Sequence, residues 1–179
     1  LDENDRLDMT PPNSYPGKLT KFLFERAEAF AYAPHKGLII LPVELIDDNG
    51  IALERCVRAL AKRWNLGARF DAWLTDACVF ASTLVDRIVP GFPAAEAEAL
   101  YAQLGYTDPL LVAAEPFLLW VIEGPTEIAE ELPLHKAGLD VVWTNDLQPY
   151  RTRKVRILNG AHTASSLAAF SAGLDTVKS

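Results

Sequence analysis

The chain alternates between stretches whose apolar residues recur every three or four positions and short runs that are apolar throughout. The first pattern is typical of amphipathic helices, and it covers residues 18–32, 51–65, 68–77, 94–104 and 152–172. The second pattern predicts buried strands, at residues 37–46, 117–122 and 139–143. A helix followed by a buried strand is one repeat of an α/β sheet. The pattern therefore predicts the end of an α/β domain followed by a mixed, helix-rich one.

A polar turn, Asp47-Asp48-Asn49-Gly50, separates the first predicted strand from the helix after it. Asp and Asn side chains favour turns and accept hydrogen bonds from the free amides of a helix's first turn. We therefore expect this turn to cap the helix that begins near Ile51.

Composition narrows the class of protein. With 179 residues, of which 50% are hydrophobic, the chain can bury a substantial core, and a net charge of −7 argues against a nucleic-acid binder. Cys56 and Cys78 are too few for a disulfide framework, which favours a reducing, cytoplasmic location.

No apolar run approaches the roughly 18 residues of a membrane span, and His35 and His135 have no neighbouring metal ligands in the sequence. We therefore expect neither a membrane nor a metal partner.

Three side chains of the stretch 150–163 are suited to carbonyl and alcohol chemistry: Lys154, Asn159 and His162. At about 100° per residue around a helix, all three are able to face one cleft. A lysine exchanges protons at neutral pH only when burial or neighbouring cations lower its pKa from about 10.4. An asparagine amide stabilises a carbonyl oxygen that becomes negative as hydride arrives, and a histidine orients a second hydroxyl or assists proton transfer.

Arginines surround this lysine at positions Arg151, Arg153 and Arg156, in a chain that is otherwise acidic. Their charge would supply the cationic neighbourhood that favours a neutral amine. The alternative is that they form a solvated helix start that pairs with carboxylates such as Asp146, and that His162 is a core histidine. Spacing alone leaves both interpretations open.

Three segments resemble signatures of the mannitol dehydrogenase family of polyol-specific long-chain dehydrogenases. Lys154, Asn159 and His162 form K-x4-N-x2-H, which looks like the catalytic signature of that family. The segment FASTLVDRIVP at 80–90 is similar to its F-x-N-T-x-V-D-R-I-x-P, and EPFLLWVIEG at 115–124 is similar to its E-x-F-x-x-W-V-I-E-D. Three motifs in the same order are far more specific than any one of them.

The resemblance implies an NAD-dependent oxidoreductase that has a Rossmann domain followed by a mostly α-helical substrate domain. Residues 1–47 would be the C-terminal part of the Rossmann domain, and residues 48–179 the N-terminal part of the substrate domain. It implies that Lys154 is the general acid/base, that Asn159 holds the oxygen, and that His162 binds or orients a small-molecule substrate. Asp86, in the V-D-R-I motif, would line the pocket or support the lysine. An ion pair between Asp86 and Arg87 or another neighbour is the alternative.

Within the family, the segments at 41–50, 121–133 and 151–164 look most like members that act on keto-sugar acids. Such a substrate carries a carboxylate, which a guanidinium binds through two parallel hydrogen bonds. We therefore expect at least one of the three arginines to anchor it. Leu45 stands where mannitol-type members carry an asparagine that polarises the carbonyl, and Ser82 stands where Asn is usual.

No G-x-G-x-x-G occurs in the chain, so the loop that would cradle the cofactor pyrophosphate is not among these residues, and cofactor-binding residues stay unassigned. We expect the central portion of a longer enzyme, inactive by itself. Three alternatives stay open: a reductase of another keto-sugar acid, a neutral-polyol dehydrogenase, and a non-enzymatic helical interaction module.

Overall fold

The computed structural model describes residues 1–174. Its helices are α1 (Tyr15–Ala29), α2 (Asn49–Arg63), α3 (Ala68–Ala77), α4 (Ala97–Leu104), α5 (Ile128–Glu131), α6 (Gln148–Thr152) and α7 (Gly160–Ser171). Its strands are β1 (Ile39–Ile40), β2 (Val79–Phe80), β3 (Ser82–Asp86), β4 (Leu119–Glu123) and β5 (Val141–Thr144). Short 3-10 turns occur at Pro34–Lys36 and Leu134–Ala137, and a π-helical turn, Arg153–Asn159, joins α6 to α7. The end of the predicted second domain, residues 175–179, lies outside the described residues.

Helices α1, α2 and α3 enclose the main hydrophobic core. The Ser14 hydroxyl accepts a hydrogen bond from the amide of Gly17 and so begins α1, as N-terminal capping requires. The buried face of α2 repeats at helical spacing, and Val57 and Leu60 are fully buried. Phe70 of α3 is also fully buried and packs edge-to-face against Phe24 of α1, with ring centroids 5.4 Å apart.

Strands β1 and β2 pair in parallel beneath these helices, with Ile39 opposite Val79. Two glycines permit the close packing around them. A Cβ on Gly37 would lie 1.6 Å from the carbonyl oxygen of Ala77, and a Cβ on Gly50 would lie 2.5 Å from that of Ala81. Any side chain at either position would therefore push the backbone segments apart.

A second sheet continues from the first through a single residue, Ala81, which separates β2 from β3. In this sheet β3 pairs antiparallel with β4, and β4 pairs parallel with β5. Ala81, Ile122 and Val141 are buried together on one side of it. Strand β3 thus leads out of the first core and ends at Asp86.

The helices predicted at 51–65 and 68–77 are confirmed to within two residues. The strand predicted at 37–46 is wrong over most of its length, because only Ile39–Ile40 is extended and paired. The backbone carbonyls of Pro42 and Glu44 accept hydrogen bonds from the Asn49 side chain, so this segment forms a loop. The longest predicted helix, 152–172, exists as the run 148–171, in which a π-helical turn precedes Gly160.

The main core extends across residue 47, where we predict a domain boundary. Leu23 and Ile40 pack in one cluster with Leu53 and Val57. The division itself stays a prediction. The described residues form a mixed α/β fold, in which the helices expected after residue 48 accompany a three-stranded mixed sheet. None of the described helices is both long and apolar enough to cross a membrane.

Candidate active site

A cleft of about 120 Å³ lies between the loop that follows β1, strand β3 and the helical run 148–171. One wall is the loop 44–47, and a second is residues 83–85 of β3. Side chains of the helical run complete it: Arg151, Lys154, Val155 and Asn159. Because two of the predicted site residues, Lys154 and Asn159, line this cleft, it is the candidate ligand site.

Lys154 reaches from the π-helical turn to the end of β3. Its Nζ lies 3.2 Å from Asp86 Oδ1 and donates a 3.0 Å hydrogen bond to the carbonyl oxygen of Val85. Both side chains of the ion pair are only 14% exposed. The structure pairs Asp86 with Lys154 and not with Arg87, a contact that fits both support of the lysine and an ion pair with another neighbour. Arg87 instead donates to the carbonyl of Glu115.

The charge closest to the lysine amine is therefore a carboxylate, where the sequence predicts a cationic neighbourhood. The ion pair and the hydrogen bond to Val85 fix where the amine lies. A partly buried ammonium held at two points is suited to giving a proton to an oxygen that acquires negative charge.

Asn49 is a buried polar residue beneath the cleft that sequence reasoning placed only in a turn. Its Oδ1 accepts from the amide of Thr83 at 2.8 Å, and its Nδ2 donates to the carbonyls of Pro42, Glu44 and Thr83 at 3.1–3.2 Å. The Thr83 hydroxyl donates to the carbonyl of Pro42. These bonds satisfy the carboxamide completely and join the loop before α2 to β3. The sequence signal that could have indicated this role is an asparagine next to a glycine, Gly50, in the first turn of a helix.

Arg151 is engaged by the polar turn at the start of α2. Its Nη1 donates to Asp48 Oδ1 at 2.9 Å, and its Nε lies 3.6 Å from Asp47 Oδ1. The expectation that the turn's side chains cap α2 is wrong for Asp48, which occupies the N-cap position but accepts no amide there. Its carboxylate instead accepts a hydrogen bond from Arg151, about a hundred positions further along the chain.

The remaining predicted site residues are less enclosed. Asn159 lines the cleft, although its side chain is exposed. Arg153 lies over the ring of Tyr150 at 5.9 Å and Arg156 is exposed; neither forms an ion pair within residues 1–174. His162 is also exposed, and it does not line the cleft.

The π-helical turn explains which predicted residues come together. Its hydrogen bonds span five residues, so it brings Lys154 and Asn159, five positions apart, to the same cleft. The α-helical geometry assumed from the sequence places His162 with them, but α7 begins only at Gly160. In the described part of the chain no three His, Cys, Asp or Glu side chains are grouped to hold a metal ion.

Comparison with known proteins identifies the family to which the chain is related. Residues 11–136 match the family described as the mannitol dehydrogenase Rossmann domain. The chain is 55% identical over 173 residues to an altronate oxidoreductase of Klebsiella pneumoniae, covering 97% of this chain and 36% of that protein. It is 49% identical over 177 residues to the altronate oxidoreductase of Bacillus subtilis, covering 99% of this chain and 37% of that protein. The chain thus spans about a third of the length of these relatives.

Solved structures with the same fold are polyol dehydrogenases. The Pseudomonas fluorescens mannitol 2-dehydrogenase, in a ternary complex with NAD and D-mannitol, superposes with a TM-score of 0.64 at 26% identity, covering 91% of this chain and 31% of that one. A substrate-free D-sorbitol dehydrogenase gives the same TM-score at 27% identity, covering 84% of this chain and 29% of that one. With well over half of its residues matched by the family, this chain belongs to the mannitol dehydrogenase family.

Proposed function

We propose that the full-length protein is an NAD-dependent oxidoreductase that reduces the keto-sugar acid tagaturonate to altronate, reversibly, in hexuronate catabolism. Relatives named altronate oxidoreductase, about half identical over almost the whole chain, support the substrate. The observation that carries the chemistry is Lys154, which lines the cleft and is held there by an ion pair with Asp86. Because the chain spans about a third of those relatives, the activity is proposed for the whole protein.

In the reductive direction, Lys154 acts as the general acid. Asp86 and the carbonyl of Val85 hold its ammonium, which gives a proton to the carbonyl oxygen of the substrate as that oxygen becomes an alkoxide. The Asn159 amide donates to the same oxygen and stabilises its developing charge. In the oxidative direction the neutral amine takes the hydroxyl proton, and Asp86 stabilises the ammonium that forms.

NAD, when bound, supplies the hydride for reduction and accepts it in oxidation. The residues present fit one end of such a cofactor, since β1 and β2 pair in parallel and segments that follow each of them line the cleft that holds the lysine. Residues 44–47 and 83–85 are therefore the ones that would hold this end of the cofactor. No segment of the sequence matches the glycine-rich loop that holds a pyrophosphate.

The substrate carboxylate needs a cation at the cleft, and the three arginines differ in availability. The guanidinium of Arg151 already contacts two carboxylates, whereas Arg153 and Arg156 are exposed and without an ion pair in residues 1–174. Neither of them lines the cleft, so Arg153 or Arg156 would anchor a carboxylate of a substrate that extends beyond it, and His162 keeps its proposed role in orienting the substrate.

The first test is NADH oxidation by the full-length protein with tagaturonate, fructuronate and fructose. We expect a strong preference for tagaturonate. A preference for fructuronate or fructose would transfer the assignment to another keto-sugar acid or to a neutral polyol. Indifference to all three would contradict the proposed substrate class and favour a non-enzymatic interaction module.

Substitution of the lysine tests the proton transfer. Lys154→Ala should lower kcat about 10²- to 10⁴-fold, the usual contribution of a general acid, and added methylamine should restore part of the loss. Lys62→Ala, which removes an exposed lysine of α2, is the matched control. An unchanged kcat in Lys154→Ala, with tagaturonate still preferred, would remove the lysine from the mechanism but leave the substrate assignment intact.

A further inference from the structure

The helical run 148–171 is attached to the rest of the chain in an unusual way. None of the residues of α6, the π-helical turn or α7 is buried among the described residues. Apart from contacts within residues 144–174, two side chains join this run to other elements by hydrogen bonds or ion pairs in the described structure: Arg151 and Lys154. Just before the run, Leu147 is buried and its amide donates to Glu123, so the start of the run is fixed there and its orientation further along depends on these two polar attachments.

The first attachment is the contact of Arg151 with Asp47 and Asp48, which we call the arginine clasp. The Arg151 side chain is only 14% exposed. Asp48 presents its carboxylate from a left-handed backbone conformation, with φ 50° and ψ 46°. A non-glycine residue adopts this conformation at a cost and keeps it where the surrounding structure requires it. Here that conformation directs the carboxylate to the guanidinium instead of to the helix amides.

The arginine clasp is mechanically linked to the second attachment. Asn49 follows Asp48 directly, and its carboxamide is bonded to Thr83 of β3 through both the amide and the carbonyl of that residue. Three positions further on, β3 ends at Asp86, which holds Lys154. The contacts form a closed circuit from Lys154 through β3, Asn49 and the clasp to Arg151, three positions before the lysine. One side of this circuit cannot shift without the others.

We propose that Arg151 is a positioning residue: clasped by Asp47 and Asp48, it sets the place of the π-helical turn so that Lys154 meets Asp86 at the cleft. The kinetic consequence rests on the proposed function, since it assumes that Lys154 moves the proton. The proposal assigns Arg151 a different task from substrate binding, because its Nη1 and Nε already face two carboxylates.

A double-mutant cycle on the full-length protein tests the coupling. Arg151→Met should lower kcat about 10- to 100-fold, because a small misplacement of a reacting group costs that much. KM for tagaturonate should stay near its original value, and Arg151→Lys should recover part of the loss. Asp48→Asn, which tolerates the left-handed backbone, should cause a similar fall. The double variant should be no worse than the more impaired single variant.

Arg58→Met is the matched control, since Arg58 also lies between two carboxylates, Glu54 and Asp71, but does not line the cleft. It should leave kcat unchanged. Two kinetic results would overturn the proposal: multiplicative losses in the double variant, or a raised KM for tagaturonate with kcat intact. The second result would make Arg151 the anchor of the substrate carboxylate.

Hydrogen exchange separates this proposal from the proposed function. In Arg151→Met, the amides of residues 152–160 should exchange about tenfold faster than in the original protein, because a charge-assisted attachment is lost. This readout needs no substrate, so it holds even if tagaturonate is not turned over. Equal exchange in the two proteins would overturn the arginine clasp, whatever the activity assay shows.

Discussion

The α1–α3 core and the helical run 148–171 are held by different forces. In the core, Leu23, Val57, Leu60 and Phe70 are fully buried. The run is also rich in apolar residues, yet Leu167 is 78% exposed and its attachments to other elements within the described residues are polar. Burial of apolar surface is nondirectional, whereas an ion pair with a hydrogen bond specifies an orientation. The lysine of the site is thus positioned by the directional kind of contact.

This difference predicts that truncation in the core costs more stability than any other change considered for this protein. Phe70→Ala should lower the free energy of unfolding by about 3–5 kcal/mol, because it leaves a cavity among fully buried neighbours. Urea denaturation of the full-length protein measures it. Phe22→Ala, at a 53% exposed position of α1, is the matched control. Equal losses in the two variants would contradict the placement of the core.

A substitution of Asn49 tests the contacts between the α1–α3 core and the cleft, because its buried carboxamide joins the loop before α2 to β3. Asn49→Asp preserves shape but replaces the donor that faces three carbonyl oxygens by an acceptor. We expect the free energy of unfolding, measured by urea denaturation, to fall by about 2–3 kcal/mol, and kcat to be lower as well. Asn65→Asp, at an exposed position, should change the midpoint little. An unperturbed Asn49→Asp variant would show that the circuit does not depend on this carboxamide.

Asp5 is the position where we expect the smallest effect, because its polar contacts add to a region that apolar burial already stabilises. Burial raises the pKa of its carboxyl, but hydrogen bonds from the Ser14 hydroxyl and from the amides of Ser14 and Asn13, with the charge of Arg63, outweigh this, and the net pKa is lowered. A folded pKa below the unfolded value of 3.8 means that this stabilisation is present above pH 3.8 and is lost as the pH falls through the folded pKa.

Asp5→Asn should therefore cost about 1 kcal/mol at neutral pH and almost nothing at strongly acidic pH. Thermal unfolding between pH 7 and strongly acidic pH measures the difference between the two proteins. Asp8→Asn, which alters the exposed ion pair with Arg6, is the control. A deficit that persists unchanged into acid would mean that the carboxylate charge of Asp5 contributes nothing.

Local pattern predicted the first region well. The periodicity of 51–65 and 68–77 identifies α2 and α3, because a helix face that packs on a core repeats every three to four residues. The apolar runs at 117–122 and 139–143 overlap β4 and β5. The run at 37–46 failed for a physical reason: a side chain from outside it, Asn49, takes the carbonyls that a strand would pair.

By itself the sequence determined the helices of the core, the family, and the identity of the candidate proton donor, Lys154. These features depend on the spacing of residues that lie close together in the sequence, so a local pattern is enough to identify them. Only the tertiary structure decided which charge meets that lysine, that Arg151 contacts Asp48, and that Asn159 but not His162 lines the cleft. Such contacts join residues far apart in sequence and depend on the π-helical turn and on the packing of β3. No local pattern encodes them.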